Sequence, residues 1–353
     1  MRNLTRRLNG VIAVVGLLLC PAVPVVALDT PPVRIVVDGR MTVKGPGGEG
    51  LLPVAVSQDW SQPLPQVRRA VIVVHGAHRV ADSLFRSVAG MVPNDATLVI
   101  VPQFLEQQDV AAHSLPDSVL RWARSWATGA DAAGPIAVSS YDAIDALLLT
   151  LGDRSRLPNL TTVVLAGFSG GGWLVQRYAA LGHAGDTLAG RGIAVRYLVG
   201  SPSSYLYFSD DRPLANGGFA PFAGAAACPG FNRWPYGLAG EMPRYVAAPA
   251  QRGAASIATR YAGLDLVYLV GAADNDPNHW ELDKSCGGEA EGADRLARGI
   301  NFFHYMQARY ATLLRQRFQA APGAGHDPAA VLGSPCGRAA LFDASGCTGG
   351  SSE

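Results

Sequence analysis

The chain has 353 residues, with 29 Lys and Arg against 28 Asp and Glu for a formal net charge of +1, and it is 48% hydrophobic. So even a balance leaves no broad basic face for nucleic acid, and so much apolar content excludes general disorder. The length suits one α/β domain with insertions, and no internal repeat is visible.

The first segment reads as an address. Arg2, Arg6 and Arg7 precede an apolar run from Val11 to Cys20 that Pro21 and Pro24 interrupt. The run is too short for a bilayer span, which needs about 20 residues, so no stable membrane span is expected. Val25-Val26-Ala27 offers a small residue at the cleavage position, so residues 1–27 are expected to be a signal peptide and the mature chain secreted or periplasmic. A lipoprotein signal at Cys20 is the weaker reading, because Leu19 is bulky where a small residue is wanted.

Strands are predicted at Val33 to Val37, Ala70 to His75, Thr97 to Val101, Thr162 to Ala166, Ala194 to Val199, Leu264 to Val270 and Arg317 to Ala320. Several are unbroken Val, Ile and Leu runs, the pattern of parallel strands covered on both faces. Ser139 to Leu151 reads as a helix: Ser139 with Asp142 resembles a capping box, and Ile144, Leu147, Leu148 and Leu151 share one face. Trp173 to Leu181 has helical spacing, with Gly182 as its stop. The alternation argues for a mostly parallel, doubly wound sheet in one domain over 28–347.

Residues 201–262 break the rhythm with Gly, Pro and aromatics, and are expected to be a cap or lid insertion after strand 6. Its aromatics either contact substrate or form a satellite core. Tyr205 and Trp234, with Phe168 from the sheet, are the substrate-contact candidates. Residues 348–353 are small and polar and are expected to be a disordered tail. Besides Cys20 there are four cysteines, Cys228, Cys286, Cys336 and Cys347. An even number in an exported chain suggests two disulfides; of three connectivities, the local pair Cys336 with Cys347, leaving Cys228 with Cys286, is preferred. No C-x-x-C or Cys/His cluster at ligand spacing appears, so neither metal nor cofactor is expected.

Gly167-Phe168-Ser169-Gly170-Gly171 sits between a strand and a helix and matches G-x-S-x-G, a turn that exposes a nucleophilic serine. A serine hydroxyl is a poor nucleophile until a histidine takes its proton, and that histidine needs an acid to fix its tautomer. Asp274 follows a strand end at Gly271, and His326 lies in the Gly-rich loop after the last predicted strand. Asp276 is the alternative acid. His75 and Gly76 end an earlier strand, and the N–H groups of Ala77 and Gly170 are candidate oxyanion donors. His75 reads as structural, and a zinc pair with His78 lacks a third ligand nearby.

From about Val33 to Phe342 the chain resembles the α/β-hydrolase superfamily, specifically exported bacterial serine hydrolases. The resemblance rests on His75-Gly76, the elbow at Gly167 to Gly171, Gly271 to Asp274 and Gly325-His326. It implies an α/β-hydrolase fold and a triad of Ser169, Asp274 and His326. Cleavage of a small-molecule or polymeric carboxylic ester through an acyl-enzyme is the commonest activity it implies. An amidase or peptidase, a polyester or plant-polymer esterase, and a non-catalytic ligand-binding relative are the alternatives. The three-glycine run from Gly170 to Gly172 and the long insertion depart from the simplest pattern.

Overall fold

Runs of Val, Ile and Leu that need cover on both faces become the middle of an eight-stranded sheet. The computed structural model describes residues 30–347, so the expected signal peptide at 1–27 and tail at 348–353 lie outside the described residues. From Pro31 onward the chain gathers into one unit.

A hairpin of β1 (Gly39–Gly45) and β2 (Gly48–Val56) opens the sheet. It is followed by β3 (Arg69–Val74), β4 (Thr97–Pro102), β5 (Thr162–Phe168), β6 (Ala194–Gly200), β7 (Asp265–Gly271) and β8 (Gln316–Ala321). The spatial order is β1-β2-β4-β3-β5-β6-β7-β8. β3 to β8 pair in parallel, and β2 is antiparallel to both of its neighbours.

The six predicted strands from Ala70 onward each match one of β3 to β8, with His75 and Leu264 falling one residue outside them, but the first does not form. Val33 donates its N–H to Asp109 Oδ1 at 2.9 Å and Val37 donates to Gln103 Oε1 at 3.0 Å. Side chains thus take the donors that a sheet ladder would need. The true first pair, β1 and β2, passes through Gly45-Pro46-Gly47-Gly48, and this glycine-rich stretch masks its alternation in the sequence.

Helices α1 (Ala81–Ala89), α2 (Ser140–Leu151), α3 (Gly170–Leu181), α4 (Ala254–Ala262), α5 (Arg295–Tyr310), α6 (Pro328–Gly333) and α7 (Pro335–Phe342) flank the sheet. Alternate residues of β3 serve the two faces: Val71 and Val73 meet Leu84, Val331 and Leu341, whereas Ala70, Ile72 and Val74 share a core with Leu147, Val175, Tyr261 and Phe302. Truncating a buried Leu such as Leu147 to Ala typically costs about 2–5 kcal/mol. The start of α2 is the expected capping box: Ser139 Oγ accepts from Tyr141 N–H, and Asp142 accepts from Ser139 N–H at 2.9 Å. No described helix is long and apolar enough to cross a membrane.

Residues 201–262 hold a small ribbon pairing Asp211–Pro213 with Phe219–Pro221, the helix Arg244–Ala250 and α4. Disulfides join Cys228 to Cys286 and Cys336 to Cys347, the preferred connectivity.

Candidate active site

Parallel strands place their carboxyl ends on one edge, the edge where open α/β sheets bind ligands. The loops after β3, β5, β7 and β8 all open there and carry the residues singled out from the sequence.

Ser169 leaves β5 at φ 56° and ψ −115°, a region costing a non-glycine residue on the order of 1–3 kcal/mol. Its backbone is held from both sides: its N–H donates to Gly200 O at 2.8 Å, and its carbonyl accepts from Trp173 N–H at 3.0 Å. The glycine run follows from how tightly α3 is pressed on the sheet. A Cβ on Gly171 would stand 2.1 Å from Val74 O, and one on Gly172 would stand 2.5 Å from Gly200 O.

His326 Nε2 lies 3.0 Å from Ser169 Oγ, and its Nδ1 lies 2.8 Å from Asp274 Oδ2. Three loops far apart in sequence therefore share one hydrogen-bond chain. Asp274 is 4% exposed, and Arg295 at the start of α5 donates to its other oxygen at 3.3 Å. Burial by itself would raise the Asp274 pKa. The hydrogen bond and charge of His326, the Arg295 guanidinium and a hydrogen bond from Ser201 outweigh burial and hold it below the ordinary 3.8. Asp276 stays exposed, accepting Asn278 N–H at 2.8 Å, and is not brought to His326.

The turns carrying the two candidate oxyanion donors adjoin. A Cβ on Gly170 would lie 3.2 Å from Ala77 N, and neither the Ala77 nor the Gly170 N–H donates to another group among the described residues. His75 has a different task. Its Nε2 accepts from Phe104 N–H at 2.9 Å, leaving Nδ1 to donate to Gly76 O at 2.8 Å. Burial lowers its pKa to about 4, so it is neutral at pH 7 and stitches β3 to the loop after β4.

A cavity of about 340 Å³ opens beside Ser169, walled by Phe168, Val80, Leu84 and Pro328, with His78 and Glu281 at its side. Phe168 lines it, its ring 4.9 Å from that of His326. Tyr205 and Trp234 do not. Tyr205 is fully buried, stacked on Phe302 at 4.8 Å and edge-on to Tyr268 at 5.9 Å. Trp234 packs against the core and donates Nε1–H to Thr128 O at 3.1 Å. No residue of 201–262 lines this cavity. The aromatics of this insertion pair instead with the helices and sheet beneath them or with one another: Phe219 with Tyr305 on α5 at 5.7 Å, Tyr236 with Trp173 on α3 at 6.5 Å, and Phe222 with Phe231 at 5.0 Å.

Sequence reasoning missed Arg295, which carries no signal beyond being a cation at a helix start. It weighed His78 only as half of a zinc pair, and missed Trp280 and Glu281. The last two follow Asp274 within one loop, the only local hint available.

No family model matches the sequence, and no curated relative matches it. Solved structures do. Poly(aspartic acid) hydrolase-1 from Sphingomonas sp. KT-1 superposes with a TM-score of 0.56 at 20% identity, covering 85% of this chain and 96% of that one. LpqC, a poly(3-hydroxybutyrate) depolymerase from Bordetella parapertussis, gives 0.56 at 19% identity, over 86% of this chain and 90% of that one. With its strand order and elbow, the chain has the α/β-hydrolase fold.

Proposed function

We propose that the protein is a serine hydrolase of carboxylic esters, working through an acyl-enzyme. The observation that carries this reading is the hydrogen-bond chain Ser169–His326–Asp274 at the carboxyl edge of the sheet. Ser169 Oγ attacks the ester carbonyl while His326 Nε2 takes its proton. Asp274, accepting from Nδ1, keeps that tautomer and balances the imidazolium as it forms. The carbonyl oxygen becomes an oxyanion at the N–H groups of Ala77 and Gly170, with the α3 N-terminus adding its dipole. His326 returns its proton to the leaving alcohol; water then attacks the acyl group by the same route.

The mostly apolar wall of the cavity suits an acyl chain. Two disulfides fit an oxidising compartment, which supports reading the chain as exported. A polyester is the second reading, since the matched LpqC structure is that of a poly(3-hydroxybutyrate) depolymerase.

The test is fluorophosphonate labelling followed by a chromogenic ester panel of increasing acyl length. Wild type should label at Ser169, and Ser169→Ala should abolish labelling and lower kcat by several orders of magnitude. A folded Ser169→Ala protein with near-normal turnover would overturn the assignment.

A further inference from the structure

Of the large hydrophobic side chains that remain exposed among the described residues, Trp280 is the most open, at 62%. It does not stand alone. Its ring stacks on His279 at 6.2 Å and 17°, and it also meets His78 at 5.7 Å. The His279 ring in turn lies 5.4 Å from His326. A strip of three rings thus runs from the candidate base outward to solvent. It borders the Ser169 cavity at His78 and Glu281, which pair at 2.6 Å.

The chemistry proposed for Ser169 decides which half of an ester would meet this strip. The leaving oxygen must take its proton from His326 Nε2, so the alcohol half has to lie on the His326 side. The strip begins there. His279 Nδ1 accepts Glu281 N–H at 3.2 Å, which leaves the ring neutral and fixed in place. Burial, with the charges of Arg295 and His326, also lowers its pKa. The strip therefore offers flat apolar faces, and the cations around it among the described residues are engaged, Lys284 Nζ donating to Pro277 O. His78 is committed to Glu281, and Arg295 is buried on Asp274.

We infer that His279 and Trp280 form a subsite for the alcohol half of an uncharged ester, one large enough to stack on the indole. This assignment rests on Ser169 being the nucleophile. It gives an exposed tryptophan a role that folding does not require of it.

Methyl butanoate and benzyl butanoate share an acyl group and differ only in the alcohol. Trp280→Ala should lower kcat/KM about tenfold on the benzyl ester, chiefly through KM, and less than about twofold on the methyl ester. Trp280→Phe should recover most of the loss. Wild type should also turn over 4-carboxybenzyl butanoate more slowly than benzyl butanoate, and the gap should narrow in Glu281→Gln. Equal changes on methyl and benzyl esters, or none on either, would overturn the subsite while leaving the hydrolase reading intact. A preference for the carboxylated alcohol would overturn its uncharged character. If Ser169 does not label and methyl butanoate is not cleaved by wild type, both readings fall together.

Discussion

Two loops of this molecule, tied by the Cys228–Cys286 disulfide, use their aromatic residues in opposite ways. The insertion at 201–262 is dense in Tyr, Phe and Trp, yet Tyr205, Tyr207 and Phe208 are buried against Phe302 and, for Tyr207, Tyr305 as well. The loop after β7 is polar in composition, yet it sets Trp280 in solvent, one ring out from the candidate base through His279. Aromatic density therefore does not mark the binding surface here. A cluster of rings finds partners among its own and those of a neighbouring helix, whereas Trp280, with the His279 and His78 rings beside it, stays mostly in solvent. On the proposed function, the insertion serves stability and the loop after β7 serves chemistry, a division that can be attacked from either side.

The largest effect should come from the loop after β7. Asp274→Asn leaves His326 free to take the wrong tautomer and should lower kcat about 10⁴-fold, while the exposed Asp276→Asn should change it less than about twofold. Ester hydrolysis by both variants checks this, and a severe loss from Asp276→Asn alone would move the acid. The insertion should behave in reverse. Tyr205→Ala, deep in the core, should cost about 3–5 kcal/mol in denaturant unfolding, with kcat of the remaining folded protein nearly unchanged.

A third effect joins the two regions. Replacing both Cys228 and Cys286 with Ala reopens a loop of 58 residues and should cost about 2–4 kcal/mol. Calorimetry of that pair beside the Cys336 and Cys347 pair, separated by 11 residues, should show the larger drop for the longer loop.

Acid should probe the β3 turn separately from both loops. The folded His75 pKa of about 4 lies below the ordinary 6.5, so the unfolded chain binds the proton first. Its contribution is then complete above pH 6.5 and lost as pH falls towards 4, about 3 kcal/mol in all. His75→Gln should flatten stability over that window, and an unchanged slope would show that other groups carry it. Trp280→Ala should have the smallest effect on folding, within about 0.5 kcal/mol, since the ring is mostly in water.

Much of the sheet was legible because parallel strands covered on both faces must be apolar throughout, and no other short element shares that signature with Gly at its ends. The hairpin β1–β2 was not, because its alternation runs through glycines, and Val33 to Val37 misled because side chains from distant loops take its backbone donors. Ser169, Asp274 and His326 each stand out locally as a strand end followed by glycine or a turn. The choice between Asp274 and Asp276 does not, since two carboxylates two residues apart differ only in which way the loop turns them.

The sequence by itself determined the strands from β3 onward and the kinds of side chain at each of their ends, because these follow from backbone propensity and periodic burial along one stretch of chain. Only the tertiary structure decided that Arg295 would reach Asp274, that Tyr205 would be sealed under α5, and that Trp280 would be left open one ring out from His326. Those outcomes depend on which surfaces meet across tens to hundreds of residues, and contact between distant segments leaves no period in the sequence to read.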